Sequence, residues 1–179
     1  MFICFKELIF TEFLRDTMSE LKELIIKFID LDDDLNEKIE NALDDNEELP
    51  ESFEEDNIDQ ITELSELYHE IEHGVFNEEF IIVSNISEDE KEVVALIISE
   101  EDDEEEEFVI PVFTDENEAN AAIEEFKKQF GDIEFSCEVK TGNEVIADHH
   151  EDDAFIGLAV NAPQWDFVIS HEDVHDCCE

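Results

Sequence analysis

The chain has 179 residues, of which 42% are hydrophobic and 36% charged, and its 56 acidic against 9 basic residues give a formal net charge of −47. That field repels phosphate backbones and anionic bilayers and attracts cations and basic proteins, so nucleic-acid and membrane-surface binding are excluded as expectations. Fifteen phenylalanines supply a real core and exclude wholesale disorder.

In chain order, "MFICFKELIFTEFL" is apolar but interrupted by Lys6, Glu7 and Glu12, and lacks the cationic start and small-residue cleavage site of a signal peptide. Residues 1–17 read as an upstream extension or a short amphipathic helix before "MSELKEL". Leu21, Leu24, Ile25 and Phe28 then repeat at helical spacing. "DLDDD" predicts a break, followed by a second short helix carrying Leu35, Ile39 and Leu43, and "DDNEELPESFEEDN" (44–57) reads as a linker. A third helix is expected to open at Asn57 and Gln60, which have capping-box spacing. Its stripe is Ile58, Ile61, Leu64, Tyr68 and Ile71, and it is expected to stop at Gly74.

From residue 79 the period changes. "EFIIVSNI", "EVVALIIS" (92–99) and "FVIPVF" (108–113) read as strands, continuous enough in apolar character to be central or covered on both faces. Pro111 lacks a backbone donor and is expected at an edge or a bulge. The best-specified helix follows, with Thr114 or Asp115 as its cap. Ala119, Ala122, Ile123, Phe126 and Phe130 form its buried face, Lys127 and Lys128 sit in the last turn, and Gly131 ends it. Ile133, Phe135, Cys137 and Val139 alternate as a half-wet strand, "TGN" turns the chain, and "AFIGLAVNA" and "WDFVIS" are two more strands. Trp165 and Phe167 are expected to share the core face of the last strand, and Ser170 with Asp173 to open a short terminal helix. This order predicts an α+β fold, a mixed and mainly antiparallel sheet with packed helices, preceded by an acidic helical N-terminal segment.

Two turns and one opening unit resemble the SseB family, named for enhanced serine sensitivity. The first turn is Pro111, Phe113 and Thr114, where a strand opens a helix. The second is Val160, Asn161 and Pro163, before an aromatic strand containing Phe167. "ITELSELYHEI" followed by "FIIV" is similar to the family's opening. The resemblance spans about residues 57–173, and implies a small cytoplasmic α+β domain with no catalytic residues to carry over. It divides the chain into a helical acidic extension, 1–56, and an SseB-like domain, 57–179.

Candidate sites are few. Eight consecutive acids, Glu100, Glu101, Asp102, Asp103, Glu104, Glu105, Glu106 and Glu107, separate two apolar strands. They read as the solvated tip of a strand connection that keeps two aggregation-prone segments apart, or as a partner-facing acidic loop. In "SHEDVHDCCE", His171, His175 and Cys178 would share one helix face, a spacing suited to a soft divalent metal, with His149 and His150 available to complete a shell. The competing reading packs Val174, Cys177 and Cys178 on the sheet. "IADHHEDDAF" gathers Asp148, His149, His150, Glu151, Asp152 and Asp153 without calcium-loop spacing, and its acids are expected to raise the imidazole pKa values. The four cysteines, Cys4, Cys137, Cys177 and Cys178, have no disulfide-framework spacing and point to a reducing cytoplasm.

No nucleophile elbow, phosphate loop or Cys–His dyad is visible, and no organic cofactor is implied. The expected function is therefore a non-enzymatic cytoplasmic interaction or regulatory module with a basic protein partner. The alternatives are an acidic mimic of nucleic acid and a metal-binding protein using the C-terminal tail. High-salt adaptation would also select acids, but it trims the large apolar residues that this chain keeps.

Overall fold

The acids of "DLDDD" do not interrupt the first helix. The computed structural model describes residues 11–43, 49–87, 90–98, 107–131, 133–165 and 167–171. In it α1 runs unbroken from Thr11 to Ala42. Aspartate is a poor helix former, but here the run is held by its neighbours. Gln60 donates to the Leu31 carbonyl at 2.8 Å and to Asp34 at 3.1 Å, and Lys38 pairs with Asp34 at 2.6 Å. Leu21 and Ile25 are buried and Leu24 and Phe28 pack beside them, as the stripe predicts.

The second helix, α2 (Phe53–Asn77), starts four residues before the expected site. Ser52 occupies the cap position, and Glu54, Glu55 and Asp56 sit in the first turn, where carboxylates favour the helix dipole. Asn57 is an interior residue, bonded back to the Phe53 carbonyl at 2.9 Å. Ile58 is 55% exposed and so leaves the expected stripe, whereas Leu64, Leu67, Ile71 and Val75 are buried. Gly74 does not end the helix. A side chain there would meet Leu21 Cδ1 at 3.0 Å, so Gly74 lets α1 approach α2 closely. Leu21 and Ile25 belong to the same core as Ile71, Phe80, Val112 and Leu158, so no break in the core falls at residue 56.

Seven strands form one mixed sheet among the described residues. They are β1 (Glu79–Ser87), β2 (Glu90–Val93), β3 (Leu96–Ile97), β4 (Phe108–Phe113), β5 (Glu134–Thr141), β6 (Phe155–Val160) and β7 (Val168–Ser170). β5 pairs antiparallel with β1 along its full length, and β1 pairs with β4 only at Ile81↔Phe113 and Ile82↔Val112. Beyond that point β2 lies against β1 and β3 against β4, so the expected strand 92–99 is split by Val94 and Ala95. β4 and β6 are parallel, and β7 closes that side antiparallel to β6.

Pro111 is thus in an interior strand rather than at an edge. It is tolerated because neither β1 nor β3 registers with it; their pairs lie on either side, at 112–113 and 108–109.

α3 (Glu116–Phe130) returns from β4, capped by Asp115, which accepts from the Asn117 and Glu118 amides at 2.8 and 3.1 Å. Gly131, at φ 83°, ends it. Ala119, Ala122 and Phe126 face Val83 and Phe113, while Phe130 is 58% exposed, one turn past the sheet contact. The opposite sheet face, with Phe80, Ile82, Ile110 and Leu158, is covered by α1, α2 and a helix the sequence reading missed, α4 (Gly142–His149). "TGN" is its first turn. Thr141 and Glu144 form a reciprocal capping box, Thr141 Oγ1 accepting from the Glu144 amide at 3.2 Å and Glu144 Oε2 from the Thr141 amide at 2.8 Å.

On β5 the expected inward alternation fails. Cys137 is exposed and Val139 is 55% exposed, because β5 lies at the sheet edge and the aromatic contact of α3 reaches only Phe135, 6.2 Å from Phe126. Trp165 and Phe167 precede β7 rather than lying on it, yet both pack on the main core.

Candidate functional site

Charge on this chain is organised by α2. Asp59, Glu63, Glu66 and Glu70 recur at i, i+4, i+7 and i+11, which places them on one face of the helix over about 16 Å. All four are exposed. With Thr62, Leu67 and Lys27 of α1 they line a groove of about 440 Å³. Lys27 pairs with Glu63 at 2.7 Å, so the groove is anchored at one point by a cation and is otherwise acidic. Elements with so many like charges stay folded because the apolar sides, Leu64, Leu67 and Ile71, are buried. The spacing of this stripe is present in the sequence but does not stand out among 56 acids.

The acid run at 100–107 connects two paired strands. The Ile98 amide donates to the Glu107 carbonyl at 2.9 Å where β3 meets β4, and Glu107 is exposed. Glu100, Glu101, Asp102, Asp103, Glu104, Glu105 and Glu106 lie outside the described residues.

A third cluster lies at the carboxyl ends of the parallel pair β4 and β6. The buried Asn161 accepts from the Thr114 amide at 2.9 Å and donates to Thr114 Oγ1 at 3.0 Å, tying the turn after β4 to the turn after β6. Asn161 itself sits at φ 54°, a conformation Asn tolerates. Beside it Lys22 of α1 reaches Asp115 at 2.8 Å and Glu118 at 2.6 Å, with its ammonium 5.7 Å from the Trp165 ring centre. Burial alone would lower the Lys22 pKa, but the Asp115 and Glu118 carboxylates outweigh it and raise it. Burial would likewise raise the Asp115 pKa; Lys22 and the two α3 amides hold it below the ordinary value. The ammonium faces both carboxylates, so this cluster fastens α1 to the start of α3.

The histidines divide. His171 Nδ1 donates to the Ile156 carbonyl at 2.7 Å, so Nδ1 carries the proton. His171 stacks on Phe155 at 5.3 Å, and His149 meets the same ring at 5.6 Å, so the two imidazoles share one aromatic neighbour. His175 and Cys178, the other expected ligands, lie outside the described residues, as does nearly all of the segment expected to form a terminal helix. Among the described residues no group of three or more His, Cys, Asp or Glu is placed to hold a metal ion. The expectation that acids raise the imidazole pKa fails at His149: burial pushes it down, and the nearby Asp148 and Asp152 do not compensate.

No family model matches the chain, and no curated protein or solved structure matches it either. Among the described residues no helix is long and apolar enough to cross a membrane.

Proposed function

We propose that this chain is a non-enzymatic, acidic interaction module of the cytoplasm with an SseB-like domain, docking a protein partner through that partner's basic surface. The carboxylate stripe of α2 beside the α1–α2 groove carries this reading. It presents fixed, exposed negative charge on a rigid element, the arrangement that steers and orients a cationic partner. Glu107, exposed where β4 begins, adds negative charge at a second place. The direct joining of Thr114 to Asn161 supports the SseB-like reading, since two distant turn motifs serve one local structure.

The regular spacing of Asp59, Glu63, Glu66 and Glu70 favours a second reading, an acidic mimic of nucleic acid that occupies a basic groove on its target.

Titration with a lysine-rich polycation at several salt concentrations tests the stripe. Neutralising it (D59N/E63Q/E66Q/E70Q) is expected to weaken binding about tenfold and to flatten the salt slope. Removing the same charge elsewhere (E92Q/E134Q/E151Q/D153N) is expected to change affinity little. Equal losses in both variants would mean that only net charge matters and that the stripe is a solvated helix face.

A further inference from the structure

We propose that His69 and His73 form a two-imidazole site for a first-row transition-metal ion such as Zn²⁺ on the exposed side of α2, with Glu72 positioning the His69 ring. The two histidines stand at i and i+4, on adjacent turns of one helix face, and their ring centres are 4.6 Å apart with planes at 78°. A metal held at about 2.0–2.1 Å from one nitrogen of each ring, with the nitrogens cis to one another, requires ring centres about 4.5–5 Å apart. The rings therefore already stand at chelating distance.

Glu72 supplies the second observation. It is the one buried carboxylate among the described residues, its side chain 10% exposed, and its Oε2 lies 3.6 Å from His69 Nδ1. At 3.6 Å the two are ion-pair neighbours rather than hydrogen-bonded, and the carboxylate closing on Nδ1 when a metal binds would leave Nε2 as the ligand, the arrangement by which outer carboxylates orient metal-binding histidines. It also gives the desolvated carboxylate a dication to face. His69 is 64% exposed and His73 is exposed, so the ion has open access and water fills the remaining positions. Glu66 and Glu70, within one turn of the pair, raise the local cation concentration. Imidazole rather than carboxylate as the ligand selects Zn²⁺, Ni²⁺ or Cu²⁺ over Mg²⁺ or Ca²⁺.

The test uses the full chain with ¹⁵N-labelled histidine and Ni²⁺ as a paramagnetic probe, alongside calorimetric titration with Zn²⁺. Below one equivalent, Ni²⁺ is expected to broaden the His69 and His73 imidazole signals first. His69→Gln and His73→Gln, both surface changes, should each weaken Zn²⁺ binding by at least about tenfold. Glu72→Gln should weaken it by about tenfold and shift the His69 nitrogens away from the Nδ1-protonated pattern, a change that a purely structural role would not produce. Undiminished Zn²⁺ affinity in His69→Gln or His73→Gln, or Ni²⁺ broadening confined to the signals of His149, His150, His171 and His175, would overturn the assignment.

Discussion

Asn161→Ala is expected to cost about 3–4 kcal/mol of stability, most of the margin of an ordinary domain. Three contacts go at once: the Thr114 amide loses its acceptor at 2.9 Å, and Thr114 Oγ1 loses both a donor at 3.0 Å and an acceptor at 3.2 Å. Thr114 is 1% exposed, so water cannot replace them. Alanine at φ 54° adds backbone strain on the order of 1 kcal/mol. Asn161→Gly separates the two causes. It relieves the backbone and still loses the side-chain bonds, so it should recover about 1 kcal/mol of the loss. Urea unfolding of the three proteins measures both steps. A mild Asn161→Ala would mean that the two turns are held together by the surrounding packing and not by this bond set.

Raising NaCl from about 0.05 M to about 1 M is expected to stabilise the protein, because screening shortens the range of repulsion among its many carboxylates from over 10 Å to about 3 Å. A gain of about 2 kcal/mol would appear as roughly 4–8 °C in Tm. The ion pairs pull the other way, but most are exposed surface pairs of small individual worth. Glu78 locates part of the repulsion. Burial, then Glu20 and Glu79, push its pKa above the ordinary 4.5. Its favourable contribution is therefore present below pH 4.5 and is lost as pH rises through the raised folded value. Asp115 has the opposite sign: its pKa is lowered, so its contribution holds above pH 3.8 and is lost as pH falls through the folded value. Stability should peak in mild acid, between these two windows. Glu78→Gln should raise Tm at pH 7 and lose that advantage near pH 4. A Tm that falls with salt, or a Glu78→Gln protein no more stable at pH 7, would contradict the repulsion argument.

Elements whose apolar residues are continuous or strongly periodic are legible in the sequence. β1, β4, β6 and α3 lie within a residue or two of their expected bounds, since "FVIPVF" and the Ala119–Ala122–Phe126 face admit few alternatives. What was missed depends on contacts far along the chain. The continuity of α1 through "DLDDD" rests on Gln60, 29 residues beyond Leu31. The depth of Cys137 and Val139 depends on β5 being an edge, which alternation does not reveal. α4 was within reach, since Thr141 and Glu144 have capping-box spacing, but glycine and asparagine between them read as a turn. At the site level the α2 stripe and the His69–His73 pair follow from helical spacing alone. In a chain with 56 acids such spacing stands out only once α2 is known to extend unbroken from Phe53 to Asn77. The Lys22 link to Asp115, 93 residues away, had no signal in the sequence.

The most direct test of the proposed role is a quantitative pull-down from native lysate with three forms of the full chain. These are the wild type, the neutralised α2 stripe, and a form in which Glu100–Glu107 are replaced by Gly-Ser. The wild type is expected to recover one strongly basic protein, released by salt, and the stripe variant to lose it or recover far less. Recovery of the same proteins by all three forms, or a wild-type partner without a basic surface, would contradict that role.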